Sequence, residues 1–514
     1  MTESHAAGRS RMVSLVPWAI ALCCAVFFWW LRGDLLQFKL EEGIYLEGGA
    51  QILEGRLPYR DYFALTGPGE FWLHALVFKL FGVSFPVARL IPALALGVLT
   101  AACYALARVR AGNSAAGLCS AAFFLLTVWQ PVLTANDHRW TSSALATAAV
   151  WAAFPLLDST SRGRAVLSGV LSVVAAFFTP TVAICGLAVL AWLAVDRRAR
   201  PNTWPWLAGA VATAIAAGGF LLASGSLGAF VDHMLWVQKH YSAANRISYA
   251  GVFDGLFDVV ARAEGVARIV QLLVLAAFAL PALLPLLNAA ALATQLRRDR
   301  GWLFLFACAT ALVLSTWPRW DLTHLIQVAP LQYALFGAWM AGRRLLAVPL
   351  ALAASTGLLL TFASLAQRFA LPSITSARGM VRLLPDEERL ARMLIQNVSP
   401  SDTLFAFPFM PVANFVTGAR NPTRFPFLQP GMSPLEDELQ CARELEQDPP
   451  EWILWFRMPD AAWLKSWPGS DPTRLHMDAI RRVIDERYRG TDSAPYGRGS
   501  VILLQRKDSA SQAK

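Results

Sequence analysis

The chain reads as a polytopic membrane protein: an all-α membrane domain of about eleven transmembrane helices, followed by a C-terminal α/β domain outside the cytoplasm. Three observations carry that reading. Hydrophobic residues make up 56% of the 514 and charged residues only 16%, too little charge to cover a soluble protein of this size. Apolar runs of spanning length recur through residues 1–365. Arginines collect in alternate gaps between those runs, as the positive-inside rule demands.

The runs fall at 12–31, 84–107, 114–131, 141–157, 165–179, 181–195, 204–223, 266–294, 302–317, 324–342 and 345–365. With a cytoplasmic N-terminus, the inner connections carry Arg9/Arg11, Arg108/Arg110, Arg162/Arg164, Arg197/Arg198/Arg200, Arg297/Arg298/Arg300 and Arg343/Arg344. The short outer loops carry only Arg139 and Arg319. An odd number of spans then leaves residues 366–514 outside, and one overlooked helix would scramble the alternation. The first run is long enough to span, and Trp29-Trp30-Leu31-Arg32 is no small-residue cleavage site, so it is expected to be an uncleaved first helix. The net charge of +10 follows these loops rather than a phosphate-tracking groove, which argues against nucleic acid as a partner. Six cysteines lie in apolar runs, and Cys441 stands alone in the tail, so no disulfide is expected there.

Three outer segments are more than connectors. Residues 32–83 contain Tyr45–Leu53 and Phe71–Leu76, predicted as helices lying at the membrane interface. Residues 224–265 hold His233, Lys239, His240, Tyr241 and Arg246, ordinary for a solvated interfacial loop. In the tail, β-like runs at Thr403–Phe407, Trp452–Phe456 and Val501–Gln505 and a helical pattern over Asp386–Gln396 predict a small α/β domain. Residues 507–514 read as a frayed end.

Three clusters on the outer side could carry chemistry. Glu41 and Glu42 open an interfacial helix just after the first span. Carboxylates there suit a general base, or the positioning of a metal or a sugar. They equally suit an acidic pair at a helix N-terminus. Asp137, His138 and Arg139 follow the third span, as a phosphate-facing group or as a polar turn with a helix cap before Trp140. Arg319, Asp321 and His324 precede the tenth, where the Arg fork fits phosphate oxygens and the flanking Trp residues fit an interface anchor. No P-loop or GxGxxG opens a strand–helix unit.

The order Glu41-Glu42-Gly43-Ile44-Tyr45, Leu53-Glu54-Gly55-Arg56-Leu57-Pro58-Tyr59-Arg60-Asp61-Tyr62-Phe63, Pro68-Gly69-Glu70-Phe71-Trp72-Leu73 and Leu80-Phe81-Gly82 resembles the first outer loop of GT-C glycosyltransferases. It is most similar to the bacterial branch related to protein O-mannosyltransferases and lipid A aminoarabinose transferases. The resemblance implies that Glu41 occupies the catalytic position, with Glu42 as its partner and Asp137 as the second acidic residue. It implies substrate contacts at Tyr59, His138, Arg139, Arg319, Asp321 and His324. Two departures stand out. Glu41 replaces the usual Asp, and Leu65-Thr66-Gly67-Pro68 stands where the aminoarabinose branch carries an acidic–basic pair before Pro. That branch's metal or phosphate ligands are therefore not carried across. A divalent metal is compatible with the carboxylates, but the sequence fixes no cofactor.

The activity so implied is transfer of a sugar from a polyprenyl-phosphate donor to a lipid, glycan or protein acceptor, at the outer face of the cytoplasmic (inner) membrane. Nucleotide sugars are absent there, so an amphiphilic donor must come from the bilayer. Two alternatives stand beside it: a transporter or lipid-carrier flippase, for which no internal repeat is evident, and a non-catalytic envelope assembly protein that has kept the fold.

Overall fold

The computed structural model describes residues 2–38, 40–129, 135–252, 279–293, 299–340 and 347–507. Helix α1 (Thr2–Arg32) exposes Leu15, Trp18, Leu22 and Val26, a three-to-four-residue stripe suited to lipid. Its other face packs on α5 (Leu90–Ala111), where Gly97 lets the backbones meet: a Cβ there would lie 2.3 Å from the Ala21 carbonyl oxygen. Between them come β1 (Leu35–Leu36), α2 (Leu40–Leu53), α3 (Gly69–Phe81) and the short α4 (Phe85–Ala88). After α5 follow α6 (Ser114–Thr127), α7 (His138–Ala153), α8 (Arg162–Phe178), α9 (Ala183–Val195), α10 (Thr203–Ala223) and α11 (Leu227–Trp236).

Among the described residues, four helical stretches are long and apolar enough to cross a membrane: Leu15–Arg32, Phe85–Ala111, His138–Leu157 and Arg200–Ala223. Four shorter apolar helices accompany them, at Ser114–Thr127, Pro180–Val195, Ala279–Ala293 and Arg300–Leu314. Most of the expected run at 266–278, and the basic pairs Arg297/Arg298 and Arg343/Arg344, lie outside the described residues, as does the end of the tail after Lys507. Loops expected to share a face do meet. Arg300 donates from Nε to Asp196 Oδ2 at 2.7 Å and from Nη1 to Asp158 Oδ1 at 3.2 Å, joining three loops that carry basic residues.

With 14 and 13 residues, α2 and α3 reach only about 20 Å, short of a hydrocarbon core of roughly 30 Å. They do not span. Helix α2 also differs from an interfacial helix with one wet face: Glu42 through Ala50 are all buried. The tail covers it. The helix Ala347–Ala370 passes the boundary expected at 365, and the hairpin β2 (Ser373–Ser376) and β3 (Gly379–Leu383) follows. Strand β3 pairs in parallel with β1, Leu35 opposite Arg382 and Leu36 opposite Leu383. A second sheet has the order β4-β5-β7-β6. Its strands β4 (Leu404–Phe407), β5 (Trp452–Arg457) and β7 (Gly499–Arg506) fall on the three β-like runs, and the helix Glu388–Asn397 on the helical pattern. Strand β6 (Tyr488–Tyr496) escaped the pattern because it is a mostly exposed edge carrying Pro495.

Outer loop and tail share one hydrophobic core: Tyr45, Phe71, Phe78 and Phe85 belong to the same cluster as Phe405, Phe415, Ile453 and Leu503. Phe78 stacks on Phe415 at 5.7 Å, and Phe63 N–H donates to the Arg424 carbonyl at 2.8 Å. The closest approach is at Gly43, where a Cβ would lie 2.2 Å from the Val412 nitrogen. Gly43→Val should therefore cost at least about 1–3 kcal/mol by overpacking. It should lower the melting temperature of the purified protein, whereas an unchanged melting curve would mean that α2 and the 411–412 backbone are not in contact.

Candidate functional site

The site is built around a buried ion pair. Glu42 is fully buried one residue after Glu41, at the start of α2. Arg89, also buried, stands immediately before α5 and reaches back to it. Arg89 Nε lies 2.7 Å from Glu42 Oε1, and Nη2 donates to Oε2 at 2.9 Å. Nη2 donates also to the Leu35 carbonyl at 3.0 Å. Glu42 Oε1 further accepts from Asn136, from the backbone N–H at 3.1 Å and the side-chain amide at 2.7 Å. The two adjacent carboxylates thus have different duties. Glu42 is consumed by packing, while Glu41 is only half-buried.

Asn136 continues the network. Its Oδ1 lies 3.1 Å from His74 Nε2, and His74 Nδ1 lies 2.9 Å from the Glu70 carbonyl oxygen. Burial pushes the Glu70 carboxyl up to about 8 and the His74 imidazole down to about 4. Both are therefore uncharged at neutral pH. Tyr45 lies against His74 and His138, with ring centroids 6.3 and 5.8 Å away. Asp137 caps α7 by accepting from the Arg139 N–H at 2.9 Å. His138 Nδ1 meets Thr179 Oγ1 at 2.6 Å, Thr179 donates to Ser142 at 2.9 Å, and Ser142 donates to the Arg139 carbonyl at 3.2 Å.

The opposite wall is charged. Asp321 caps the helix Leu322–Val328 and accepts from His324, at N 3.0 Å and Nδ1 2.6 Å. Arg319 Nε donates to its other oxygen at 2.6 Å. Burial alone would raise the Asp321 carboxyl, but His324 and Arg319 overcome it and hold it well below the usual carboxylate range. Arg319 Nη1 also donates to Asn245 Oδ1 and to the Ser466 carbonyl of the tail at 3.4 Å. Tyr241 ends the helical turn Val237–Tyr241. Burial pushes its hydroxyl up to about 12, and the charges of Arg319, Glu41, Arg139 and Asp321 all act on it. Of the three clusters singled out in the sequence, the first two meet through Glu42 and Asn136, and the third sits on the helix Leu322–Val328, which packs on α7. Arg139 differs from Arg319 in that its buried Nε and Nη1 have no hydrogen-bond partner among the described residues. Tyr59 lies elsewhere: it is buried against Phe71, Phe230 and His233, and its hydroxyl donates to the Thr66 carbonyl at 2.5 Å.

Sequence reading passed over Arg89, Glu70 and the role of Tyr241. Arg89 had a usable signal, an arginine inside an apolar run, which is expensive unless paired. Tyr241 had none, since an aromatic residue in an interfacial loop is unremarked. Among the described residues no group of three His, Cys, Asp or Glu side chains is placed to hold a metal ion.

The tail closes the site from above. Glu387 Oε2 accepts from the Phe38 N–H at 3.3 Å, and the Tyr496 hydroxyl donates to the Phe38 carbonyl. Burial, with Glu42 nearby, pushes the Glu387 carboxyl up to about 7. An acid raised above its unfolded value favours the protonated native state. Its destabilising effect sets in as pH rises past the ordinary 4.5 and is complete above about 7. Glu387→Gln should thus gain in melting temperature over wild type on going from pH 5 to pH 8. A difference that stays flat across this range would show that Glu387 does not titrate there.

Comparison with known proteins gives two findings. Residues 66–219 match the family model described as dolichyl-phosphate-mannose-protein mannosyltransferase. That segment includes Asp137, His138 and Arg139 but not Glu41, Glu42 or Arg319–His324. The chain also has the fold of ArnT from Cupriavidus metallidurans. The crystal structure of ArnT bound to undecaprenyl phosphate aligns with TM-score 0.57 and 14% identity, covering 95% of this chain and 98% of that one. Its apo state aligns with TM-score 0.58 and 14% identity, covering 96% and 98%. No curated protein sequence matches. The resemblance to GT-C transferases read from Glu41–Gly82 is thereby met by both the family model and the fold.

Proposed function

We propose that this chain is a GT-C glycosyltransferase that moves a sugar from a polyprenyl-phosphate carrier to an acceptor hydroxyl at the outer face of the cytoplasmic membrane. The fold of ArnT and the family match over 66–219 support the class. The observation that carries the reading is geometric: Glu42 binds Asn136, joining the start of α2 to the Asp137–Arg139 turn, and the helix capped by Asp321 packs on α7, which brings the half-buried Glu41 and the arginines Arg139 and Arg319 to one region. A transfer of this kind needs a base for the acceptor and cations for the departing phosphate. In this reading Glu41 takes the proton from the acceptor hydroxyl, whose oxygen attacks the anomeric carbon. The bond from that carbon to the phosphate oxygen breaks, and the polyprenyl phosphate leaves with its electron pair. Arg139 faces the phosphate with its two unengaged nitrogens. Arg319, held by Asp321 and Asn245, supplies charge and ties the donor site to the tail. Asp137 and His138 position the Arg139 backbone, and Glu42 fixes Glu41. The N-terminus lies in the cytoplasm and the tail outside, with about eleven spans between.

Purified variants assayed with a panel of polyprenyl-phosphate sugars test this. Glu41→Gln should lose about 10²–10⁴-fold in turnover while melting like wild type. A folded Glu41→Gln protein with near wild-type turnover would end the claim and favour a carrier flippase or an assembly protein. Arg139→Ala should weaken donor binding more than Arg139→Lys, because Lys keeps the charge without the planar fork. Equal donor affinity in wild type and Arg139→Ala would remove Arg139 from the phosphate.

A further inference from the structure

The tail carries a cavity that the transfer chemistry does not use. Strands β4 and β5 run parallel and end at Phe407 and Arg457. A cavity of about 500 Å³ opens beyond those carboxyl ends, where ligands of α/β sheets characteristically bind. Two arginines line it, Arg481 half-buried and Arg457 exposed at its mouth. Arg457 and Arg481 lie over the same Trp455 ring, 5.0 and 5.1 Å from its centroid. Neither forms an ion pair or a side-chain hydrogen bond among the described residues. Two cations lining one cavity on the same aromatic residue, neither with a carboxylate partner, suit an anion. The volume exceeds what a bare phosphate fills and falls within the small-molecule range. Asp460, the lining carboxylate, pairs with His476 at 3.3 Å on the exposed rim, a donor–acceptor pair suited to hydroxyl groups. Phe407 and Met458 supply an apolar wall.

The cavity is also wired to the transfer site. The seven-residue helix Asp460–Ser466 lines the cavity at one end, and at the other its Ser466 carbonyl accepts from Arg319. A helix of that length spans about 10 Å. Phe456, also lining the cavity, packs on Tyr496 at 5.5 Å, whose hydroxyl reaches Phe38, three residues before Glu41.

We propose that this cavity binds an anionic sugar, one bearing a phosphate or a carboxylate, as the recognition subsite for the acceptor; the acceptor role rests on the transfer reaction proposed above. The two guanidiniums take the anion, and Asp460 and His476 take sugar hydroxyls. Binding alone can be read without turnover. The full chain purified in detergent is titrated calorimetrically with glucose 6-phosphate, with glucose and inorganic phosphate as controls. Glucose 6-phosphate should bind more tightly than either control, and Arg457→Gln/Arg481→Gln should weaken it by at least about tenfold. Asp460→Asn should weaken it while leaving inorganic phosphate unaffected, and Glu41→Gln should leave both unchanged. Inorganic phosphate binding as tightly as the phosphosugar, or an affinity untouched by the double substitution in a protein that melts like wild type, overturns the site. In transfer assays the double variant should raise the acceptor KM about tenfold and keep kcat and the donor KM. Transfer with an unaltered acceptor KM overturns the acceptor role. If no polyprenyl-phosphate sugar is turned over by wild type while the binding results hold, the transfer reading falls and the anionic-sugar site stands.

Discussion

The Glu42–Arg89 pair is the constraint from which the rest of the site follows. Both side chains are out of water. A buried ion pair gives little net stability, but removing either partner strands a charge and costs several kcal/mol. Its value here is geometric. One carboxylate ties together the start of α2, the N-terminal end of α5 and the loop before α7, through Arg89 and Asn136. The backbone of Glu42 is thereby fixed, and with it that of Glu41. In the proposed transfer Glu41 is the general base, which works only within hydrogen-bond reach of its proton, and a neighbour locked on three elements is a direct way to keep it there.

The tail adds a lid that is part of the core rather than an appendage. Phe415 and Phe425 fill space against Phe78 and Phe63 of the outer loop, and β3 extends a sheet begun by β1 directly after the first helix. Such packing would leave α2 with exposed apolar surface if the tail were absent. It also explains why α2 lacks the two-faced pattern of an interfacial helix. Its outer face meets protein instead of water, so apolar residues and glycines occupy it on both sides.

Much of this was legible in the sequence, and the remainder was hidden for physical reasons. The apolar runs marked the helices at 84–107, 141–157 and 204–223 because lipid imposes a single rule on every exposed residue. Strands β4, β5 and β7 were legible because they are buried and apolar. Strand β6 and the hairpin β2–β3 were not, since edge strands carry polar residues that no period distinguishes. In the site, Glu41, Arg139, Arg319 and Asp321 were each visible as a charge beside a membrane span. That the loops meet, through Glu42 and Asn136 and through the helix Leu322–Val328 against α7, was not, because contact between distant loops leaves no mark in the spacing along one chain. Tyr59 shows the converse: a residue singled out by its motif is buried with its hydroxyl engaged at Thr66.

The ionisable groups around the site fall into a neutral set and a charged set. On the α3 side, the buried Glu70 and His74 are both neutral at pH 7. On the far side, Arg319, Asp321 and His324 form a compact charged group whose carboxylate stays ionised. Asp321 neutralises much of the Arg319 charge where it stands, which leaves Arg139 as the cation with unengaged nitrogens. A phosphate entering beside Arg139 would engage that charge in turn. In the proposed transfer the donor phosphate is therefore met by Arg139, while Arg319 stays tied to Asp321, Asn245 and the tail.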